Sequence, residues 1–135
     1  MNNLFETASR YLRDDPYVSM QGIELIAIDE KMATLEMTIT KDQRSFLGGA
    51  HGGSLYALAD TAFGLTANCV GNISVGIDTH MAFIRGCHVG DRIRAQAQEL
   101  FRSKRTAVYR VDLLCAKKLV ATFTGTVFIT ERAPK

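Results

Sequence analysis

The 135-residue chain is 47% hydrophobic and 22% charged, a composition that excludes a disordered polypeptide and fits one domain spanning residues 1–135. Its net charge of +2, from 16 Lys+Arg and 14 Asp+Glu, excludes the broad basic surface of a nucleic-acid or anionic-membrane binder. Three cysteines (Cys69, Cys87, Cys115) form no CxxC pair. The odd, scattered count argues against a disulfide framework or structural zinc and points to the reducing cytoplasm. Neither a secretory h-region near the start nor a run of about 20 apolar residues appears, so the expectation is a chain that neither enters nor crosses a membrane.

Taken in order, the sequence opens with an amphipathic helix whose stripe is Leu4, Phe5, Ala8, Tyr11 and Leu12, with Asn3 and Glu6 as a capping box. Asp14-Asp15-Pro16 ends it. Two strands follow, about Gly22–Asp29 and Lys31–Thr40. The second alternates, with Ala33, Leu35, Met37 and Ile39 on one face. After a polar loop and a glycine-rich stretch comes one long helix, about Gly53–Val70. It is apolar on nearly every face and so belongs inside something. Four more strands are expected at about Ser74–Ile84, Arg92–Phe101, Thr106–Cys115 and Leu119–Thr130. The order α-β-β-α-β-β-β-β makes an α+β fold in which an antiparallel sheet of five or six strands wraps one central helix.

Asp60 is the outlier in that helix. A carboxyl desolvated among apolar neighbours has a raised proton affinity and suits general-base work; alternatively Asp60 faces a solvent window. Ahead of the helix stands Gly48-Gly49-Ala50-His51-Gly52-Gly53. Free N–H groups and the positive dipole end of a helix stabilise an oxyanion or phosphate, although a plain glycine-rich turn reads the same way. No GK[ST] follows, so this is not a Walker loop, and GGSLY is not a G-x-S-x-G nucleophile elbow. His80 and His88 lack companions at metal-ligand spacing. Gly52 and Asp60 lie eight residues, or about 12 Å, apart on a continuous helix. If they act on one carbonyl, the second must come from another subunit, across a two-fold axis.

The segments GGAHGGSLYALADTAFG and GIDTHMAFIRGCHVGDRI resemble hotdog-fold acyl-CoA thioesterases of the phenylacetate-degradation (PaaI) type, with similarity from about Arg44 to Arg132. The resemblance implies a hotdog homodimer, paired again into a tetramer, that hydrolyses aryl or short-to-medium acyl-CoA. Coenzyme A would then be part of the substrate, and no separate cofactor is needed. It implies that Asp60 is general base or nucleophile and that the Gly52 N–H of the neighbouring subunit polarises the carbonyl. His51 would support the loop, and Gly53 beside it would be one of the residues that bind substrate. Two departures stand out: Ser45 replaces the family's asparagine six residues before the histidine, and Arg85-Gly86 replaces Arg-Pro. Thr61 and Asp78 are candidates for orienting water. Tyr56 and Phe63 either line an acyl pocket or belong to the core. Arg102, Lys104 and Arg105, around Ser103, either pair with nucleotide phosphates or form a solvated hairpin tip. Competing readings are a non-catalytic acyl-CoA binding module and a hotdog hydratase; the latter pairs its aspartate with a histidine about five residues on, where this chain has Leu65.

Overall fold

The computed structural model describes residues 3–134. Helix α1 spans Asn3–Arg13, so Asn3 is itself helical rather than the cap. A second helix, α2 (Pro16–Gln21), follows where the sequence suggested only a stop. The same residues do both jobs. Asp15 accepts from the Tyr17 and Val18 amides at 3.1 and 3.2 Å as an N-cap, and Pro16 takes the first helical position, where its missing N–H costs nothing.

Strands β1 (Glu24–Ile28) and β2 (Met32–Thr38) form a hairpin, and a 3-10 turn at Lys41–Gln43 leads toward helix α3 (Gly52–Asn68). Strands β3 (Ser74–Phe83), β4 (Arg92–Arg102), β5 (Thr106–Cys115) and β6 (Lys118–Ile129) complete the chain. All pairings are antiparallel, in the order β1-β2-β4-β5-β6-β3. The six strands around one helix match the architecture read from the element order. The last hairpin turns through Ala116 and Lys117, both at positive φ (48° and 70°), the left-handed pair that a tight two-residue hairpin requires. Among the described residues no helix is long and apolar enough to cross a membrane.

Period-two burial along the strands builds the inner face: Ala107, Tyr109, Val111 and Leu113 of β5 are fully buried, as are Ile93 and Ala95 of β4. Against this face α3 buries Leu55, Leu58, Ala59, Ala62, Phe63 and Ala67. Phe63 is 2% exposed and sits among the rings of Phe123 and Tyr109, with centroids 5.5 and 5.8 Å away. Its ring lies where a side chain at Gly125 or Gly76 would have to go. Phe63 is therefore a core residue and not part of an acyl pocket.

Helix α3 is not enclosed on every side, as its sequence suggested. Gly53 and Asp60 are exposed, and Tyr56 and Gly64 are half-buried, all on one side of the helix. Strand β3 is one edge of the sheet and is exposed along most of its length, Ile77 by 60%.

A Cβ added at Gly125 would stand 2.8 Å from two atoms of the Phe63 ring. Gly125→Ala should overpack the core and destabilise the protein by about 1–3 kcal/mol, read as a lower denaturation midpoint in urea.

Candidate active site

The loop before α3 is held from several sides. His51 N–H donates to the Gln43 carbonyl (2.7 Å), Ala50 N–H to the Cys87 carbonyl (2.8 Å), and Ser45 N–H to the Gly49 carbonyl (2.7 Å). Gly48 turns at φ 99°, in the left-handed region that glycine enters without strain. Beneath the loop, Gln43 is 7% exposed and fully engaged. Its amide donates to the Gln21 carbonyl and side-chain oxygen, both 2.9 Å away, and its oxygen accepts from Thr40 N–H at 2.9 Å. Sequence reading passed over Gln43. Its only signal was a glutamine in a short polar loop, and nothing local marks it for burial.

His51 is the N-cap of α3. Its Nδ1 accepts from Gly53 N–H at 2.9 Å, and its carbonyl accepts from Ser54 and Leu55 N–H at 3.0 and 3.3 Å. With His51 N–H on the Gln43 carbonyl, three of the four N–H groups that a helix start leaves free, those of His51, Gly53 and Ser54, are satisfied. The fourth, Gly52 N–H, has no acceptor among the described residues. A Cβ at Gly53 would stand 3.0 Å from His51 Nδ1, so this cap depends on glycine there. The Phe83 ring lies beside Gly52, 3.3 Å from where its Cβ would be. Phe83 was not singled out from the sequence, where it is one more apolar residue at a strand end.

Asp60, two turns along the open face, lines a cleft of about 470 Å³ between α3 and the α1–α2 pair. Leu12 and Val18 form one wall; Ala57, Thr61, Gly64 and Leu65 form the other. Asp60 is exposed at the surface of the isolated chain, not buried in the core. Its place in the cleft nonetheless strips it of solvent enough to push its pKa up, with desolvation the cause. Of the residues expected to orient water, Thr61 shares the cleft with Asp60; Asp78 lies exposed on β3, outside it.

The remaining candidates are dispersed. Ser45 Oγ accepts from Leu47 N–H at 3.2 Å, a bond within its own turn. Tyr56 packs edge-on against Phe123 (5.7 Å), and its hydroxyl bonds Thr79 of β3, which ties the helix to the edge strand. Arg102 belongs to β4 and is not a free hairpin charge. It pairs with Glu99 at 2.9 Å and donates to the Tyr109 hydroxyl at 3.0 Å, and that hydroxyl donates to Glu99 at 3.0 Å. Lys104 and Arg105 are exposed in the turn beyond it. Burial pushes the Cys69 and Cys87 thiols up to about 11, which keeps both protonated at neutral pH and removes them as nucleophiles.

Because α3 is continuous from Gly52 to Asn68, Gly52 and Asp60 are separated by about 12 Å within one chain. The structure brings Asp60 and Thr61 together, and it brings His51, Gly52 and Gly53 together at the helix start. It does not join the two groups inside one protomer.

Comparison with known proteins follows the same lines. Residues 47–122 match the family model described as the thioesterase superfamily. The acyl-coenzyme A thioesterase PaaI of Escherichia coli (strain K12) is 33% identical over 122 residues, covering 90% of this chain and 87% of the relative. The solved structure of the E. coli PaaI protein from the phenylacetic acid degradation operon superposes with a TM-score of 0.93 at 30% identity, over 98% of this chain and 96% of that one. A mutant form of the phenylacetic acid degradation protein PaaI from Thermus thermophilus is 40% identical, with a TM-score of 0.84 over 86% and 100% of the two chains. At 20% identity the likeness is one of fold alone, as with smu.793 from Streptococcus mutans UA159 bound to acetyl CoA (TM-score 0.79; 82% and 90% covered). With the sheet, the helix and the matched segment in agreement, this chain belongs to the thioesterase superfamily, carries the hotdog fold and is a thioester hydrolase of the PaaI-like group.

Proposed function

We propose that this chain hydrolyses acyl-coenzyme A to the free acid and coenzyme A, the acyl group being aryl or of short to medium length. The observation that carries the reading is the pairing of two reactive features on α3: an N–H at its positive end with no acceptor among the described residues, and a carboxyl of raised proton affinity on its open face. The substrate class rests also on the E. coli relative, which is an acyl-coenzyme A thioesterase.

In this reading the Gly52 N–H stabilises the growing negative charge on the thioester oxygen, assisted by the helix dipole. Asp60 of the partner subunit takes a proton from water, whose oxygen adds to the carbonyl carbon. The tetrahedral adduct then expels coenzyme A thiolate by breaking the C–S bond, and the proton held on Asp60 passes to that sulfur. A second route has Asp60 attack the carbonyl carbon itself and expel coenzyme A thiolate by breaking the C–S bond, which leaves a mixed anhydride that water opens to the free acid and the Asp60 carboxyl. Thr61, beside Asp60, positions the water. Either route uses only groups of this chain and needs no metal or other cofactor.

A homodimer supplies the geometry. Two α3 helices lying antiparallel across a two-fold axis bring each Gly52 to the other's Asp60. The long edge of β3, with Val75, Ile77 and Phe83 exposed, is a surface suited to that contact because an unpaired apolar strand edge favours another chain. Pairing of dimers into a tetramer and residence in the cytoplasm complete the proposal; the three unpaired cysteines fit that compartment.

Asp60→Asn should lower kcat by about 10²–10⁴-fold with size and folding unchanged, measured as thiol release from hydroxyphenylacetyl-, benzoyl- and linear acyl-CoA. Absence of turnover by the unsubstituted protein on every ester, with acyl-CoA binding retained, makes the chain a binding module instead.

The raised Asp60 pKa sets the sign of the pH dependence. The ionised base is lost on acidification, so kcat/KM should climb with pH and level off above the raised value rather than at an ordinary carboxylate's. The protonated form is the one the fold favours. Asp60 therefore supports stability fully below its unfolded pKa and loses that support as pH rises through the folded one. Asp60→Asn should gain in melting temperature relative to the unsubstituted protein as pH rises through that window.

Gly52→Pro removes one N–H at a first helical position that proline tolerates, after a residue already extended (His51 φ −66°, ψ 131°). Alone it should be inactive. Refolded together with Asp60→Asn in equal amounts, it should recover about a quarter of normal activity, because half the dimers are mixed and each mixed dimer holds one intact site of two. No recovery, with mixed dimers demonstrated, refutes the shared site.

Single turnover in oxygen-18 water separates the two routes: label found in Asp60 marks the anhydride, whereas label confined to the released acid is expected of the base.

A further inference from the structure

Gly64 lies in the interior of α3, where glycine weakens a helix relative to alanine. The usual reasons for keeping it are absent. Its φ is not in the left-handed region, and a Cβ built on it would meet nothing within 4 Å. No contact among the described residues therefore accounts for a missing side chain at this position. The space in front of Gly64 is the cleft that also holds Asp60, one helical turn back, at about 6 Å along the axis.

The chemistry of that cleft selects what enters it. Its lining includes two carboxyl groups, Asp15 and Asp60, and no lysine, arginine or histidine. Asp15 is engaged with the Tyr17 and Val18 amides, which leaves Asp60 for chemistry. The rest of the wall is largely apolar, from Leu12, Val18, Ala57 and Leu65. Such a surface repels the phosphates of a nucleotide and admits the neutral acyl end of a thioester. Its volume of about 470 Å³ suits a group larger than acetyl.

Resting on the thioesterase reading above, we infer that Gly64 is a specificity-determining residue, whose missing side chain leaves room in the α1–α2/α3 cleft for the acyl group beyond the reacting carbonyl. A side chain at position 64 then shortens the acyl groups the enzyme accepts. It also strengthens the helix, so loss of long substrates and gain of stability go together, a combination that damage to the fold does not produce.

The experiment compares Gly64→Ala and Gly64→Leu with the unsubstituted protein. It measures kcat/KM for acetyl-, butyryl-, octanoyl- and phenylacetyl-CoA, melting temperature, and size by analytical ultracentrifugation. The expected result is a graded fall in the ratio of octanoyl or phenylacetyl to acetyl turnover, about tenfold for Leu and less for Ala. Melting temperature should not fall for Ala, and the oligomer should be unchanged. An unchanged ratio with all esters still hydrolysed overturns the inference while leaving the thioesterase standing. Dissociation of the oligomer by Gly64→Leu overturns it in another way, by making position 64 a subunit contact. Failure of the unsubstituted protein to turn over any ester defeats the thioesterase reading itself, and the inference with it.

Discussion

Helix α3 can be rotated about its axis in only one way that buries its large apolar residues against the sheet, and that rotation decides which residues are left for chemistry. Phe63 is the pin. Its ring packs against Phe123 and Tyr109 and fills the space over Gly125 and Gly76. With Phe63 inward, Asp60 falls on the adjacent flank that the sheet leaves uncovered, because three residues advance about 300° around the axis and stop short of a full turn. The carboxyl owes its raised proton affinity to this arrangement. It stands at the mouth of a cleft bounded by apolar side chains, dry enough to disfavour charge and open enough to meet a substrate.

The helix start is organised by a different principle. A run of glycines alone leaves several N–H groups pointing at solvent with no preferred direction. Here His51 satisfies two of them, Ser54 N–H through its carbonyl and Gly53 N–H through Nδ1, and singles out Gly52 N–H. His51 is fixed in turn through its own N–H on the Gln43 carbonyl, and Gln43 through the Gln21 contacts and Thr40. The line of support runs from α2 and the end of β2 to the one unengaged donor. Its buried link is Gln43, whose amide would lose its partners away from water if either neighbour moved, and that makes the network costly to disturb there.

The sequence was legible where a pattern is local and repeated. Alternation along β2, the glycine-punctuated approach to α3 and the four later strands all lie close to where the sequence pattern put them, and the helix–strand order sufficed for the layer arrangement. Two things were not legible. The Asp14-Asp15-Pro16 segment reads equally as the end of one helix or the start of the next, since a capping aspartate and a first-turn proline suit both; only Val18 packing into the core selects the second helix. Nor does an apolar helix announce which of its faces the sheet fails to cover. Ala57, Ala59 and Ala62 look alike in sequence, and the strip containing Gly53, Tyr56, Asp60 and Gly64 emerges only when six strands curve round the other side. Tyr56 and Phe63 illustrate the difference: both are aromatic and seven residues apart, yet one reaches Thr79 on the edge strand and the other is sealed in the core. Arg102 fails for a related reason. Its sequence neighbours make a basic turn, but Glu99 on its own strand and Tyr109 across the β4–β5 ladder claim its guanidinium.

The glycines of α3 show how stability and chemistry are divided along one element. Gly53 is required by a contact, since a Cβ would press on the capping imidazole, and Gly52 lies close under the Phe83 ring. Both stand in the first turn, where glycine costs a helix little. Gly64 stands in the interior, where the cost is about 0.5–1 kcal/mol relative to alanine. A helix of 17 residues that buries Leu55, Leu58, Phe63 and Leu65 tolerates that loss, because burial of each such side chain contributes about 1.5–3 kcal/mol. The strong packing of one face thus permits a weak position on the other. The weak position adjoins the carboxyl, in a cleft whose lining disfavours phosphate, and so the helix is least favourable as a helix where it borders the open space beside Asp60.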